Sequence, residues 1–597
     1  MTRLAQVVFG VLVVSAFAAF FVAQGLKSSP SVVQAFKVKY PVVSPNGDGR
    51  LDRQRVTFRL KRADTVDVAI VDDQGDAVRE LASDRRLEAY RQLLPSLSWD
   101  GLDDDGRPVP DGAYRVRVTL RGEGRSVIVP RSFRVDRTAP APRILSIGPD
   151  AGRGPELLPH PDGAPARIRL NAPSRSGRLV IFRMWPGAPL QVAAPGIPDG
   201  ATTVTWDGTD DAGRPVPPAP YLVVAEVRDK AGNIGTSVPL TARGLPALTY
   251  GRPLPGRGGI TVRRVAVQPP LLAGRPGRRI PLGTDARGKP YTWTVRRTGA
   301  AVSRRGSARR AIVRLKAPGT SSGVYLYTAR RGARTATVPF AVDDRRRHRV
   351  LVVLPMVTWQ GRNPVDDDGD GRPNQLSTGL PVRLPRVFGT PTVPGFPERT
   401  QPLLAWLDRA RHRYDITTDV ALATGVGPQL RGHSGVLVAG DAVWLTERLQ
   451  RRLRAFVTAG GTLASVGVES FQRQARLTPR LRLTNPTPAS SSDIFGARLT
   501  PLRTGVFDLT AGTDTIGLFR GTGGSFTGYS VAEETTSPGT GKVLASAVDG
   551  EGAVIIVALR VGRGTVIRFG LPELPSRLGT DPDVQTLMGR TWDLLSR

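Results

Sequence analysis

Three aspartates at alternate positions, Asp366, Asp368 and Asp370, run into Gly371, and Asn374 follows. Alternate carboxylates on a turning loop are how a chain presents hard oxygens to a calcium ion, with a glycine where the loop bends sharply. The twelfth position counted from Asp366 is Ser377, where a bidentate glutamate would complete a calcium loop of this spacing. A structural calcium at Asp366, Asp368, Asp370 and Asn374 and a plain acidic turn therefore fit the spacing equally. Asn46, Asp48 and Asp52 form a thinner set of the same kind.

Another acidic stretch, Asp103, Asp104 and Asp105 before Gly106, sits in SWDGLDDDGRPVPDGAY and recurs as TWDGTDDAGRPVPPAPY, with Trp99 and Trp206 107 positions apart. The second copy has Ala212 in place of Asp105 and Ala219 in place of Gly112, yet keeps Trp206, Gly213 and Tyr221. A turn tolerates the loss of one carboxylate and a cation site does not. Asp-Gly pairs are also a strong hairpin signal, because glycine takes a positive φ without a Cβ clash. These loops read as turns of a repeated module.

Glu469 stands at the end of an apolar strand, where a general base can sit, although an exposed loop glutamate is the commoner outcome. Asp441 and Glu469 are the two catalytic candidates. The four histidines, His160, His348, His412 and His433, show no ligand spacing. The chain has no cysteine, which excludes disulfides, thiolate metal sites and a cysteine nucleophile.

The elements that must position these residues fall into two grammars. Up to about residue 342 the chain alternates apolar and polar residues in short runs between turns, as in YRVRVTL, where Tyr114, Val116, Val118 and Leu120 face one way. From about Asp343, continuous apolar runs such as RVLVVLPMV and GVLVAG alternate with helical periods such as QPLLAWLDRARHR and TERLQRRLRAFVTAGG. That alternation predicts a mostly parallel sheet flanked by helices, with ligands bound beyond the carboxyl ends of its strands. Three segments lie there: Thr358 to Asn374, Gly440 to Trp444 and Gly467 to Phe471.

The repeated W-D-G-x-D-D-x-G-x-x-V-P motif, introduced by SPNGDGRLD, resembles the Ig-like module of FlgD-like flagellar hook-assembly proteins, in two copies. From about Ser322 onward, LPMVTWQGRN, AWLDRARHRYDITTDV, AGDAVW, FVTAGGTLASVG and GRGTVIRFG resemble the carboxy-terminal domain of the N,N-dimethylformamidase large subunit, a class I glutamine-amidotransferase-like fold. That resemblance implies a site in which tyrosine and glutamate side chains hold an iron. Thr358, Trp359, Gln360 and Asn363 match the family's first phrase and Asp441 and Trp444 its second, and these six are the expected ligand-binding residues. The tyrosine position of the first phrase is Arg362, and the glutamate and tyrosine positions of the second are Ala442 and Val443.

The resulting organisation is a membrane anchor or signal segment over 1–27, a spacer over 28–40, Ig-like modules over 41–137 and 138–245, a third β-rich module over 246–345 and an α/β domain over 346–597. Leu4 to Ala23 is long and apolar enough for a single spanning helix, with cleavage after Ala18 as the rival. Both place the bulk of the chain outside the cytoplasm, membrane-held or secreted. The net charge of +33 comes from arginine spread along the whole chain, which argues for contact with anionic wall polymers or other envelope proteins and against specific nucleic-acid binding. The function expected is a non-catalytic envelope scaffold or ligand-binding protein; the alternative is a hydrolase of C–N bonds in small amides.

Overall fold

Strict alternation produces two sandwiches of the same design. The structure, a computed structural model, describes residues 3–597 apart from 28–31, 149–155, 158–164, 172–175, 264, 286–287, 320 and 345, so that His160 and part of the expected spacer lie outside it. In the first sandwich, Val33–Val38, Gln54–Leu60 and Leu97–Trp99 face a sheet built on Asp64–Val71 and Gly112–Leu120. In the second, Ile144–Gly148, Ala166–Leu170 and Thr203–Trp206 face a sheet built on Ser176–Arg183 and Ala219–Arg228. That second sheet also takes in Gly259–Val262, so the sandwich extends past the boundary expected at 245.

The repeated acidic loops close these sandwiches. Trp99 is buried against Tyr114, with ring centroids 5.4 Å apart, and Trp206 packs on Tyr221 at the same 5.4 Å. Each indole donates to a carbonyl three residues on, Leu102 and Thr209, at 2.8 Å. The first aspartate of each turn accepts from its own backbone, Arg107 N to Asp103 Oδ1 at 2.7 Å and Arg214 N to Asp210 Oδ1 at 2.9 Å. Each tyrosine hydroxyl donates to the carbonyl four residues upstream, Pro110 at 2.7 Å and Pro217 at 2.6 Å. Tyr114→Phe, which leaves that carbonyl unsatisfied, is expected to cost about 1–2 kcal/mol, read from the urea midpoint.

The third module is all β, with three strands on one side and four on the other (Tyr291–Arg297, Val302–Ala308, Gly323–Arg331, Arg334–Val342). Its buried side chains, Val324 and Tyr327 among them, belong to the same hydrophobic core as Val350, Leu403 and Trp592 of the carboxy-terminal part.

That part holds a nine-stranded sheet. Its strands in chain order are β1 (Val350–Leu354), β2 (Asp415–Thr418), β3 (Gly435–Val438), β4 (Thr462–Ser465), β5 (Arg503–Asp514), β6 (Ser525–Ala532), β7 (Lys542–Val548), β8 (Val554–Val561) and β9 (Gly564–Phe569). They lie in the order β2-β1-β3-β4-β9-β8-β7-β5-β6. The four pairings from β2 to β9 are parallel and the four from β9 to β6 antiparallel.

The expectation of a mostly parallel α/β sheet is thus corrected. The carboxy-terminal part is β-rich, and strands outweigh helices by 41% to 13% in the structure. The reason is that residues 503–561 return by hairpins rather than through crossover helices, and a hairpin connection forces antiparallel pairing.

The expected membrane-spanning helix is corrected as well. The chain opens with helix α1 (Arg3–Lys27), but among the described residues no helix is long and apolar enough to cross a membrane.

Candidate functional site

The carboxyl ends of β1, β3 and β4 bring the three expected segments together. After β1, helix α2 (Met356–Arg362) starts on Asp419, whose buried carboxylate accepts from Val357 N at 3.1 Å. Burial pushes that carboxyl up to about 8 against the pull of the backbone donors around it. After β3 the chain turns at Gly440, and after β4 at Gly467. A Cβ on Gly467 would lie 2.3 Å from the Gly440 carbonyl, so only glycine lets the two turns close on each other. Glu469 follows at φ 52°, in the left-handed region that costs a glutamate about 1–2 kcal/mol.

Arg362 occupies the space between them. Its guanidinium donates to Asp441 Oδ2 and to Glu469 Oε2, each at 2.8 Å. Arg399, from the turn ahead of helix α3 (Gln401–Arg409), pairs with the same Asp441 oxygen, and the other Asp441 oxygen accepts from Val468 N at 3.1 Å. The backbone N of Glu469 donates to Glu533 Oε1 at 2.7 Å. Burial pushes Glu533 up to about 7, although Arg568, 3.8 Å away, pulls it down. Arg568 in turn pairs with the fully buried Asp493. Three guanidiniums and three carboxylates, with Glu533 as a seventh group, thus form one network under the sheet's carboxyl edge.

Of the other expected ligand-binding residues, Thr358, Trp359, Gln360 and Asn363 are spent on the protein itself, whereas the buried Trp444 Nε1 has no hydrogen-bond partner among the described residues. Gln360 and Asn363 are buried, bonded to each other at 3.2 Å and to the carbonyls of Arg386 and Val387. Thr358 Oγ1 accepts from Trp444 N at 3.4 Å, and Trp359 meets Phe396 edge-on with centroids 5.6 Å apart. Five cavities of about 490–800 Å³ lie elsewhere, none of them lined by Arg362, Asp441 or Glu469.

The acidic loop is separate from this edge and docks on the second sandwich. Ligating oxygens of Asp366, Asp368 and Asp370 lie within 4.8 Å of one another. They already accept backbone donors: Asp366 from Gly369 N and Gly371 N at 2.7 and 2.8 Å, Asp370 from Arg372 N and Leu254 N at 2.7 and 2.6 Å. Asn374 Oδ1 accepts from Asp367 N at 2.5 Å, and its Nδ2 donates to Asp368 Oδ2 at 3.3 Å, so the amide meets the cluster as a donor. Burial, helped by the neighbouring carboxylates, holds Asp366 well above the usual range and Asp370 at about 6.

A family model for the FlgD Ig-like domain matches residues 47–124, and one for the N,N-dimethylformamidase beta subunit-like, C-terminal domain matches residues 312–494. The chain carries both domains.

The dimethylformamidase-like match begins within the third β module, in keeping with the core that module shares with the nine-stranded sheet. The residues present do not fit the iron that the resemblance implies. A guanidinium has no lone pair to give a metal, and Arg362 fills the place of the tyrosine while pairing with the carboxylates around it. Ala442 and Val443 are buried and bring no donor side chain.

No curated protein matches the chain. Among solved structures, a beta-galactosidase from Bacillus circulans sp. alkalophilus is 13% identical over 41% of this chain and 31% of that one, with a TM-score of 0.26. The exo-beta-1,4-mannosidase Op5Man5 from Opitutaceae bacterium strain TAV5 is 15% identical over 42% and 36%, with a TM-score of 0.25. A tetra-tandem repeat from the extending region of a large adhesion protein is 15% identical over 52% and 75%, with a TM-score of 0.18. The chain spans about a third of the length of the first two, and at these scores none of the three carries an argument.

Sequence reasoning missed Arg399, Asp493, Glu533 and Arg568. One signal was available: Arg568 sits inside the apolar run TVIRFG, and a charge within a buried strand requires a partner.

Proposed function

We propose that this chain is a non-catalytic scaffold of the cell envelope, outside the cytoplasm, in which Ig-like modules hold a dimethylformamidase-like domain whose ligand site has become an ion-pair network. The observation that carries this reading is the Arg362 guanidinium bound to both Asp441 and Glu469 where the family places a metal-binding tyrosine. The arginine-rich composition, with its net charge of +33, supports contact with anionic wall polymer as the scaffold's partner.

A second reading, hydrolysis of small amides, is favoured by one feature. Glu469 is a third exposed and held at a positive φ beside Glu533, and Glu533, at about 7, can trade a proton near neutral pH. One assay separates the two. The full chain is incubated with ferrous or ferric salt, desalted, and analysed for iron and for turnover of dimethylformamide and a panel of short amides. The scaffold reading expects no stoichiometric iron and no turnover. Turnover lost in Glu533→Gln, or one iron per chain, overturns it.

A further inference from the structure

At the opposite, amino end of the sheet a second cluster of side chains converges. Strands β2 and β3 both flank β1 in parallel, with Leu351 opposite Asp415 and Val350 opposite Gly435. The residues that lead into these strands therefore meet. His348 precedes β1, Asp415 opens β2, His433 precedes β3, and Asp344 arrives from the last strand of the third module. His348 Nε2 lies 3.5 Å from Asp344 Oδ1 and 4.0 Å from Asp415 Oδ1. The three ligating atoms all fall within 4.8 Å of one another.

Two features distinguish this cluster from ordinary ion pairs. Asp415 is 5% exposed, and its Oδ1 has no hydrogen-bond partner among the described residues although it faces His348 and Asp344. A buried carboxylate oxygen left in this state costs about 1–3 kcal/mol unless something completes it. Its other oxygen, Oδ2, is held by His433 Nε2 at 2.9 Å. That contact fixes the carboxylate with Oδ1 turned toward the cluster, as outer partners of metal ligands do.

We propose that Asp344, His348 and Asp415 form a binding site for a divalent transition metal, zinc by its donor set, with His433 as the positioning residue for Asp415. A tetrahedral zinc with bonds of about 2.0–2.1 Å sets its ligand atoms roughly 3.4 Å apart, close to the separations here. One imidazole nitrogen with two carboxylate oxygens suits zinc and gives calcium too few oxygens. Three protein ligands leave a fourth position for water or an anionic ligand. Access exists on both sides: Asp344 and His348 line a cavity of about 490 Å³ with Arg297 and Arg346, and Asp415 and His433 line another of about 710 Å³ with Arg275 and Arg431. Those guanidiniums favour an anion in the open position.

The test uses the full chain, stripped with chelator, titrated with zinc chloride by calorimetry and with cobalt chloride by visible absorption. One zinc per chain with micromolar or tighter affinity is expected, together with the intense absorption of four-coordinate cobalt. His348→Ala, a partly exposed position whose loss leaves the melting temperature near that of the wild type, is expected to lose at least tenfold in zinc affinity and the cobalt band. Asp415→Asn behaves likewise, and His433→Gln keeps one zinc per chain with affinity reduced about tenfold. Asp370→Asn, in the distant acidic loop, leaves zinc binding unchanged. Absence of stoichiometric zinc in the wild type, or zinc and cobalt behaviour unaltered in His348→Ala, overturns the proposal.

Discussion

Arg568→Leu is expected to destabilise the chain by about 3–5 kcal/mol, a loss in urea midpoint large enough to unfold the carboxy-terminal part under mild conditions. Arg568 lies next to the last residue of β9 with its side chain 4% exposed, paired with Asp493 and 3.8 Å from Glu533, and its guanidinium lies over the Phe471 ring at 5.7 Å. Removing the cation leaves a carboxylate with no exposed surface whose pKa burial already raises and which Arg568 alone among the charges holds down. The double variant Asp493→Asn with Arg568→Leu should recover much of the loss, because it removes both charges rather than stranding one. Equal instability in the single and double variants would mean that packing, not charge, sets the cost.

The same network has a pH signature. The folded pKa of Glu533, about 7, stands above its ordinary value of 4.5, with burial as the main cause. A carboxyl raised on folding contributes stability below its unfolded pKa and loses it as pH rises through the folded one. Relative to Glu533→Gln, the wild type should therefore lose stability between about pH 4.5 and pH 7, by on the order of 3 kcal/mol. Parallel pH curves for the two proteins would show that Glu533 does not titrate in that window.

The second large effect is expected at the acidic loop. Gly371 has φ 89°, and a Cβ there would come 2.9 Å from the Leu222 backbone of the second sandwich. Gly213 has φ 73° with nothing near an added Cβ. Gly213→Ala should thus cost only the backbone strain, about 1–2 kcal/mol, whereas Gly371→Ala adds overpacking against a strand and should cost about 2–5 kcal/mol in all. It should also open a protease-sensitive point between sandwich and carboxy-terminal part. If the two variants melt alike and are cut alike, the loop does not hold the two together.

What could be read ahead of the structure follows from where each signal resides. The run VLVVL is buried at every position, and Leu449, Leu453 and Val457 line the buried face of their helix, because both patterns are local and repeat at the period of the element. Asp581 caps the last helix through the backbone N–H of Asp583 and Val584, again a local device. Of the antiparallel half only the closing hairpin, residues 553–570 with β8 against β9, was legible. β5 pairs with β6 and β7 through several register shifts, and its mix of Gly, Thr and Asp blurs the alternation that marks a strand. The sites resisted for another reason. Arg362 could be recognised as standing in a tyrosine's place, but its grip on Asp441 and Glu469 depends on two turns meeting at Gly440 and Gly467. His433 and Asp415 are 18 residues apart, with a spacing that means nothing until two strands flank a third.

Asn233 gives the two sandwiches a mechanical property. Its side chain is buried where the modules meet. Ser44 Oγ and Asn46 Nδ2 of the first module's opening loop donate to its Oδ1, and its own Nδ2 donates to the Asp136 carbonyl at the first module's exit. One side chain thus fastens both the entry and the exit of the preceding module, so the entry cannot swing without breaking two of these bonds nor the exit without breaking the third. Tension or twist applied along the chain is passed through this joint as through a strut, not absorbed in a slack tether.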